Sequence, residues 1–164
     1  MRTSTGAAGN YSLVQDGRQQ KRRGELMSEW NDNIIAEFHA NDGKVGGPFE
    51  GAYLLLLTTT GAKSGQPHTS PVRYFVEDGK TVIVASAGGQ PSHPAWYHNL
   101  LANPQVVVEQ ATASGIEKWT GTTRDLERPE RDALFQKIVE IAPGFGEYQE
   151  KTTRIIPVVE LLRD

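Results

Sequence analysis

Ala52-Tyr-Leu-Leu-Leu-Leu-Thr-Thr-Thr60 is the stretch on which the fold turns. Its unbroken apolar run, its length and its flanking Gly51 and Gly61 read as a buried strand. Upstream the period is helical: Trp30, Ile34, Ile35 and Phe38 fall on one stripe, with Ser28 as the expected N-cap. Asn41-Asp42-Gly43 ends that helix, and a Gly/Pro loop from Gly43 to Pro48 leads into the strand. Downstream, Thr69 to Glu77 predicts a second strand, Asp78-Gly79 a hairpin turn, and Thr81 to Ser86 a third strand. Ser92 to Leu101 predicts a short helix with Pro94 in its first turn. Gln105 to Ala111 and Ile116 to Arg124 pair across Thr112-Ala-Ser-Gly115. A helix follows from Pro129 to Ile141, with Leu134, Phe135, Ile138, Val139 and Ile141 inward, stopped by Pro143-Gly144. A helical turn around Tyr148 then leads to a last strand, Ile155 to Leu162. The fold class is α+β: mostly antiparallel strands in a small barrel, with helices packed outside.

The 164 residues amount to about one domain. There is no cysteine, which excludes disulfides, thiolate metal sites, iron–sulfur ligation and a cysteine nucleophile. The longest apolar run, Ala52 to Leu57, falls far short of the ~20 residues of a membrane-spanning helix. The formal net charge of −3 divides into +3 over 1–26 and −6 over the rest. That balance argues against a surface that coats nucleic acid. The first 26 residues are polar, basic and poor in apolar side chains, which predicts a disordered basic tail. Met27 then opens a single patterned domain over 27–164.

Three segments carry chemistry-bearing residues. Thr58-Thr-Thr-Gly-Ala-Lys-Ser-Gly-Gln-Pro-His68 puts glycines, hydroxyls, Lys63 and His68 in one loop after a strand. It reads as an anion-binding loop or as an ordinary hairpin connection. Neither the Walker nor the Rossmann spacing is present. Ala85-Ser-Ala-Gly-Gly-Gln-Pro-Ser-His-Pro-Ala-Trp-Tyr-His-Asn99 follows a strand with glycines that admit a flat ligand, then crowds aromatics on one helical turn. Trp96 and Tyr97 serve either a cofactor wall or the helix's own packing. Pro143-Gly-Phe-Gly-Glu-Tyr-Gln-Glu-Lys-Thr152 offers Phe145 and Tyr148 as a wall over a pocket or as a clamp between helix and strand. The histidines show no metal-ligand pattern, since the spacing of His93 and His98 keeps them off one helical face. Ser86 lacks the G-x-S-x-G setting of a hydrolase nucleophile.

In order and spacing, these segments closely resemble the deazaflavin-dependent nitroreductase family. The resemblance rests on Thr58-Thr-Thr-Gly-Ala-Lys-Ser-Gly65, Pro71, Ala85-Ser-Ala-Gly-Gly89, Trp96-Tyr-His-Asn-Leu-Leu-Ala-Asn-Pro104 and Tyr148-Gln-Glu-Lys-Thr152 ahead of Ile156-Pro-Val158. It runs from about Trp30 to the C-terminus. These are actinobacterial proteins that use the reduced 8-hydroxy-5-deazaflavin coenzyme F420.

The resemblance implies a split β-barrel like that of FMN-binding reductases, with a groove for the coenzyme. Its phosphate and glutamate tail are expected near Lys63, Ser64, Gly65 and His68, the last standing where relatives often carry arginine. Arg73, just past Pro71, is expected to compensate that charge. Ala85, Ser86, Ala87, Gly88 and Gly89 are expected to meet the ring through backbone N–H groups, with Trp96 and Asn99 nearby. Ser86 and Tyr148 match positions of substrate binding and proton supply. Phe145 replaces a tyrosine of the nitroreductase and, with Tyr148, faces the substrate.

The implied activity is hydride transfer from reduced F420 to an electron-poor small molecule: a quinone, an enone or a nitroaromatic. A non-catalytic F420 carrier and an FMN-dependent reductase on the same barrel are the alternatives. A cytoplasmic location is expected. The amphipathic helix around Trp30 to Phe38 leaves open a peripheral contact at the inner face of the membrane, as does family precedent.

Overall fold

The computed structural model describes residues 28–164, together with Arg18, Arg22, Glu25 and Leu26. The expectation of a disordered tail over 1–26 falls, apart from those four helical and exposed positions, outside the described residues. The elements are a helix α1 over 28–40, β1 (Leu54–Thr60), β2 (Pro67–Glu77), β3 (Lys80–Val84), α2 (Ala95–Ala102), β4 (Gln105–Thr112), β5 (Gly115–Asp125), α3 (Glu130–Ile141), α4 (Gly144–Glu150) and β6 (Val158–Arg163). Ser28, expected to cap α1, is itself helical.

All strand pairs are antiparallel, and the order β1-β2-β3-β6-β5-β4 closes on itself through β1 and β4. Closure explains the four leucines. Leu55 and Leu57 point into the barrel with Val72, Ile83, Val108, Val159 and Leu161. Leu54 and Leu56 point outward, beneath Ile34 and Phe38 of α1. A strand buried on both faces has no position for a polar residue. Each leucine so buried contributes about 1.5–3 kcal/mol. A third cluster packs α3 (Leu134, Phe135, Ile138) on the outer face, against Phe75, Val82, Val84 and Val158.

Some boundaries differ from expectation. The third strand ends at Val84, so Ser86 lies in the turn beyond it, in a right-handed helical conformation. The last strand starts at Val158, because Ile155 and Ile156 belong to an irregular segment held by side chains of α3 and α4. Ile141, expected inward, is 54% exposed, and Ala142 takes the inward position four residues after Ile138. Asp78 and Gly79 both adopt positive φ and turn β2 into β3 as expected.

Candidate active site

One groove of about 600 Å³ gathers most of the singled-out residues. It is lined by Pro71 and Arg73 of β2, Ser86, Ala87 and Gly88 of the turn after β3, Trp96 of α2, and Phe145 and Tyr148 of α4. Sequence reading missed the opposite wall, where Trp30 leans on Phe49 with ring centroids 5.5 Å apart. Its volume lies in the range of small-molecule sites, and its walls are largely apolar.

The turn at Ser86 adds polar backbone to this lining. Ser86 is right-handed (φ −77°, ψ −35°), while Ala87 (φ +47°) and Gly88 (φ +63°) are left-handed. That sequence of conformations points successive N–H groups toward one concavity, a nest for negative charge. Ser86, Ala87 and Gly88 donate their N–H groups to no acceptor among the described residues, whereas those of Ala85, Gly89 and Gln90 bond Pro157, Ser86 and Ala87 carbonyls. A left-handed alanine is strained, and such strain persists where the surroundings impose it.

Ala85 is fully buried and does not line the groove. Gly89 sits behind it, tight against α4. A Cβ there would stand 2.8 Å from the Tyr148 carbonyl oxygen and 3.1 Å from Lys151 Cβ. The glycine therefore lets α4 close on the turn and hold Tyr148 at the groove wall. Tyr148 stands edge-on to Phe145 at 5.7 Å, and Phe145 edge-on to Phe75 at 5.6 Å. The two proposed readings of this segment merge, since Phe145 clamps the core and lines the groove at once.

Lys63, Ser64 and Gly65 lie outside the groove, in the exposed connection between β1 and β2, and His68, also exposed and outside it, is the second residue of β2. Gly61 N–H bonds Gln66 O at 2.8 Å, Gly65 N–H bonds Gly61 O at 3.0 Å, and Ser64 Oγ lies 3.4 Å from His68 Nε2. Asn99 ties this loop to the barrel. Its Oδ1 accepts from Ala62 N–H at 3.0 Å, and its Nδ2 donates to the buried Thr59 Oγ1 at 3.2 Å. Trp96 and Asn99 are one helical turn apart, so α2 connects groove and loop.

Arg73 does not join His68. Five residues on along β2, at about 3.3 Å each, it projects to the opposite strand face and lies over the Phe75 ring at 5.0 Å. The expected compensation of His68 by Arg73 is therefore absent from this geometry.

His93 and His98 do approach, with ring centroids 5.8 Å apart, because His93 precedes the helix and escapes its periodicity. Among the described residues no group of three His, Asp or Glu side chains gathers. His93 Nδ1 instead accepts from Arg154 at 2.9 Å. Burial and the Arg154 charge hold the His93 pKa below its ordinary value. Tyr97, beside it, donates to Asp125 at 2.6 Å, and burial raises its pKa strongly.

A closed six-stranded antiparallel barrel with flanking helices and a groove at its side is a split-barrel architecture. Residues 30–163 match the family model of the F420H2-dependent quinone reductases. The chain is 39% identical over 132 residues to an F420H2-dependent quinone reductase of Mycobacterium tuberculosis, covering 78% of this chain and 86% of that one. Among solved structures, an F420-H2 dependent reductase is 44% identical with a TM-score of 0.57, covering 66% of this chain and 92% of the other. Another, described as a domain-swapped dimer, is 37% identical with a TM-score of 0.59, covering 85% and 98%. The chain belongs to the F420H2-dependent quinone reductase family.

Proposed function

We propose that the groove seats the tricyclic ring of coenzyme F420 against the Ser86–Gly88 turn, and that the coenzyme's anionic tail follows α2 to the loop of Lys63. The chain is an enzyme, an oxidoreductase that reduces a quinone-like acceptor with reduced F420 as donor. The observation that carries the proposed placement is the nest: a turn that lines a largely apolar groove and whose three successive N–H groups have no acceptor among the described residues. A flat heterocycle with polar edges matches that combination. A Cβ at Gly88 would meet nothing within 4 Å among the described residues, so the glycine leaves room on the ring side.

When bound, the reduced deazaflavin supplies a two-electron donor that resists one-electron chemistry. The chain's own residues do the rest. The N–H groups of Ser86, Ala87 and Gly88 stabilise negative charge on the polar edge, in a site where apolar walls strengthen each interaction. Trp30, Trp96 and Phe145 exclude water from the reacting face. The Tyr148 hydroxyl and Ser86 Oγ are the candidate proton donors to the reduced acceptor, directly or through water. Pro71 and Arg73 bound the acceptor side. Lys63, with Ser64, Gly65 and His68, meets the phosphate and tail carboxylates, and Asn99 holds that loop in reach. Enones and nitroaromatics share the electron-poor π system of quinones and are further candidate acceptors, with Phe145 in place of a tyrosine narrowing the bulky ones.

The unit that carries this activity is one domain over 27–164, with 1–26 as a basic appendage. No helix among the described residues is long and apolar enough to cross a membrane. Ile34, Ile35 and Phe38 of α1 pack with Leu54 and Leu56, which favours a helix docked on the barrel over one lying on a membrane surface, and the location we propose is the cytoplasm.

The test is titration of wild type and Lys63→Ala with F420, then turnover with menadione. Loss of one charge-assisted contact is worth about 1.5–3 kcal/mol, or about ten- to a hundredfold in affinity, with kcat little changed. Wild-type binding without turnover makes the protein a carrier. Purification with bound FMN and indifference to F420 sinks the reading.

A further inference from the structure

We infer that Arg154 is a positioning residue for this reaction, gripping the back of the Ser86–Gly88 turn so that its N–H groups face the groove. The inference rests on the proposed coenzyme site. Arg154 lies between α4 and β6 and does not line the groove. Its guanidinium donates to Ser86 O at 2.7 Å, Gln90 O at 2.9 Å and Ala85 O at 3.1 Å, and to His93 Nδ1 at 2.9 Å. Guanidinium has only donors, so the His93 nitrogen accepts and its proton sits on Nε2.

Peptide geometry converts this grip into direction. In a trans peptide the C=O and the following N–H point opposite ways. Drawing the Ala85 carbonyl toward Arg154 turns the Ser86 N–H away from it. Drawing the Ser86 carbonyl does the same for Ala87 N–H. The third N–H, of Gly88, shares a peptide with the Ala87 carbonyl, which accepts from Gln90 N–H at 3.2 Å, and Gln90 is itself held by Arg154. One side chain therefore sets all three donors and imposes the left-handed conformation of Ala87. Its charge also polarises the two gripped peptides, which makes their N–H groups stronger donors.

The grip is anchored from behind. Gln149 Nε2 donates to the Arg154 carbonyl at 2.7 Å, and Gln149 Oε1 accepts from the buried Arg131 at 2.9 Å and from Ile156 N–H at 3.0 Å. Lysine at 154 retains the charge but lacks the planar fork that reaches several acceptors at once.

The experiment compares wild type, Arg154→Lys and Gln149→Met as full chains. Gln149→Met loosens the segment that carries Arg154 while leaving the guanidinium in place. Two readouts are taken. The first is the amide resonances of Ser86, Ala87 and Gly88 in the coenzyme-free protein. The second is kcat with reduced F420 and menadione, per site titrated by F420 binding. Arg154→Lys is expected to shift or broaden the three amides, with strand resonances unmoved, and to lower kcat by about ten- to a hundredfold. Gln149→Met is expected to move both readouts in the same sense by less. A purely structural role lowers the number of F420-binding sites but leaves kcat per site and the three amides as in wild type, and that result overturns the inference. The same holds for Gln149→Met read alone, should Arg154→Lys not fold. A wild type that neither binds nor oxidises reduced F420 overturns the functional reading as well, whereas wild-type turnover with an unimpaired Arg154→Lys overturns only the role of Arg154.

Discussion

Gly88 and Gly89 are neighbours with nearly the same backbone and opposite surroundings, which makes them a paired test of how the turn meets α4. Both have φ in the left-handed region, +63° and +82°. Alanine at either position carries left-handed strain of about 1–2 kcal/mol. At Gly88 nothing else is added, because the new Cβ meets no atom of the described residues within 4 Å. At Gly89 the Cβ falls 2.8 Å from the Tyr148 carbonyl and 3.1 Å from Tyr148 Cα, both backbone atoms of a helix. Neither swings aside as a side-chain tip does, so α4 moves outward, at an overpacking cost of about 1–3 kcal/mol. Gly89→Ala is expected to destabilise by about 2–5 kcal/mol and Gly88→Ala by about 1–2 kcal/mol. For a chain of this size each kcal/mol shifts Tm by about 2–4 °C, so Gly89→Ala melts about 5–20 °C below wild type. Function separates them in the opposite way. Gly88→Ala costs the fold little, with Tm about 2–8 °C below wild type, but fills space on the ring side, so F420 affinity falls out of proportion to the loss of stability. Urea denaturation, thermal melts and F420 titration read all of this. Equal destabilisation by the two substitutions refutes the contact between Gly89 and α4 as the reason for glycine there.

Asn99→Ala removes the tie between α2 and the Lys63 loop and leaves Thr59 Oγ1 buried without its donor. It is expected to cost about 1–2 kcal/mol and to weaken F420 binding without altering menadione KM, as read by urea midpoint and titration. Arg131→Met keeps apolar contact with Phe135 but strips the buried Ile156 carbonyl of two donors at 2.8 and 2.9 Å. Destabilisation by about 1–3 kcal/mol in urea is expected, and a neutral outcome contradicts the network. On the acid side, bonds from Arg124 and Lys80 hold the Glu130 pKa at about 2, while Arg128 lowers that of Asp132 and Lys137 that of Asp78. These carboxylates bind fewer protons folded than unfolded below the ordinary carboxylate range. Their contribution is thus complete near neutrality and is lost as pH falls from about 5 toward 2. Urea midpoints between pH 7 and 3 measure it, and Glu130→Gln flattens the slope if the assignment holds.

The chain's own order of residues was enough for the elements and the barrel class. The run from Leu54 to Leu57 has no polar gap, and only a strand covered on both faces accepts that. The alternation of turns with short apolar runs does the rest, since each signal is local and acts within a few residues of its cause. The segments around Ser86, Trp96 and Phe145 also stood out in the sequence, and residues of all three line one groove. What the linear pattern does not contain is which segments share a wall. Closure of β1 onto β4 and the return of β6 between β3 and β5 bring Tyr148 against Gly89 and Arg154 behind Ser86. Arg73 and His68 take opposite faces because both belong to one strand at an odd spacing, and it is the start of β2 at Pro67 that puts His68 on that strand. Arg154 gave no signal in the sequence because its partners are backbone carbonyls, which every residue possesses. Ser86 read as the end of a strand because the left-handed turn that opens its N–H groups is imposed by bonds from more than sixty residues away. Tertiary structure alone decides such contacts, for they form only after chain closure has supplied the energy to hold a strained backbone in place.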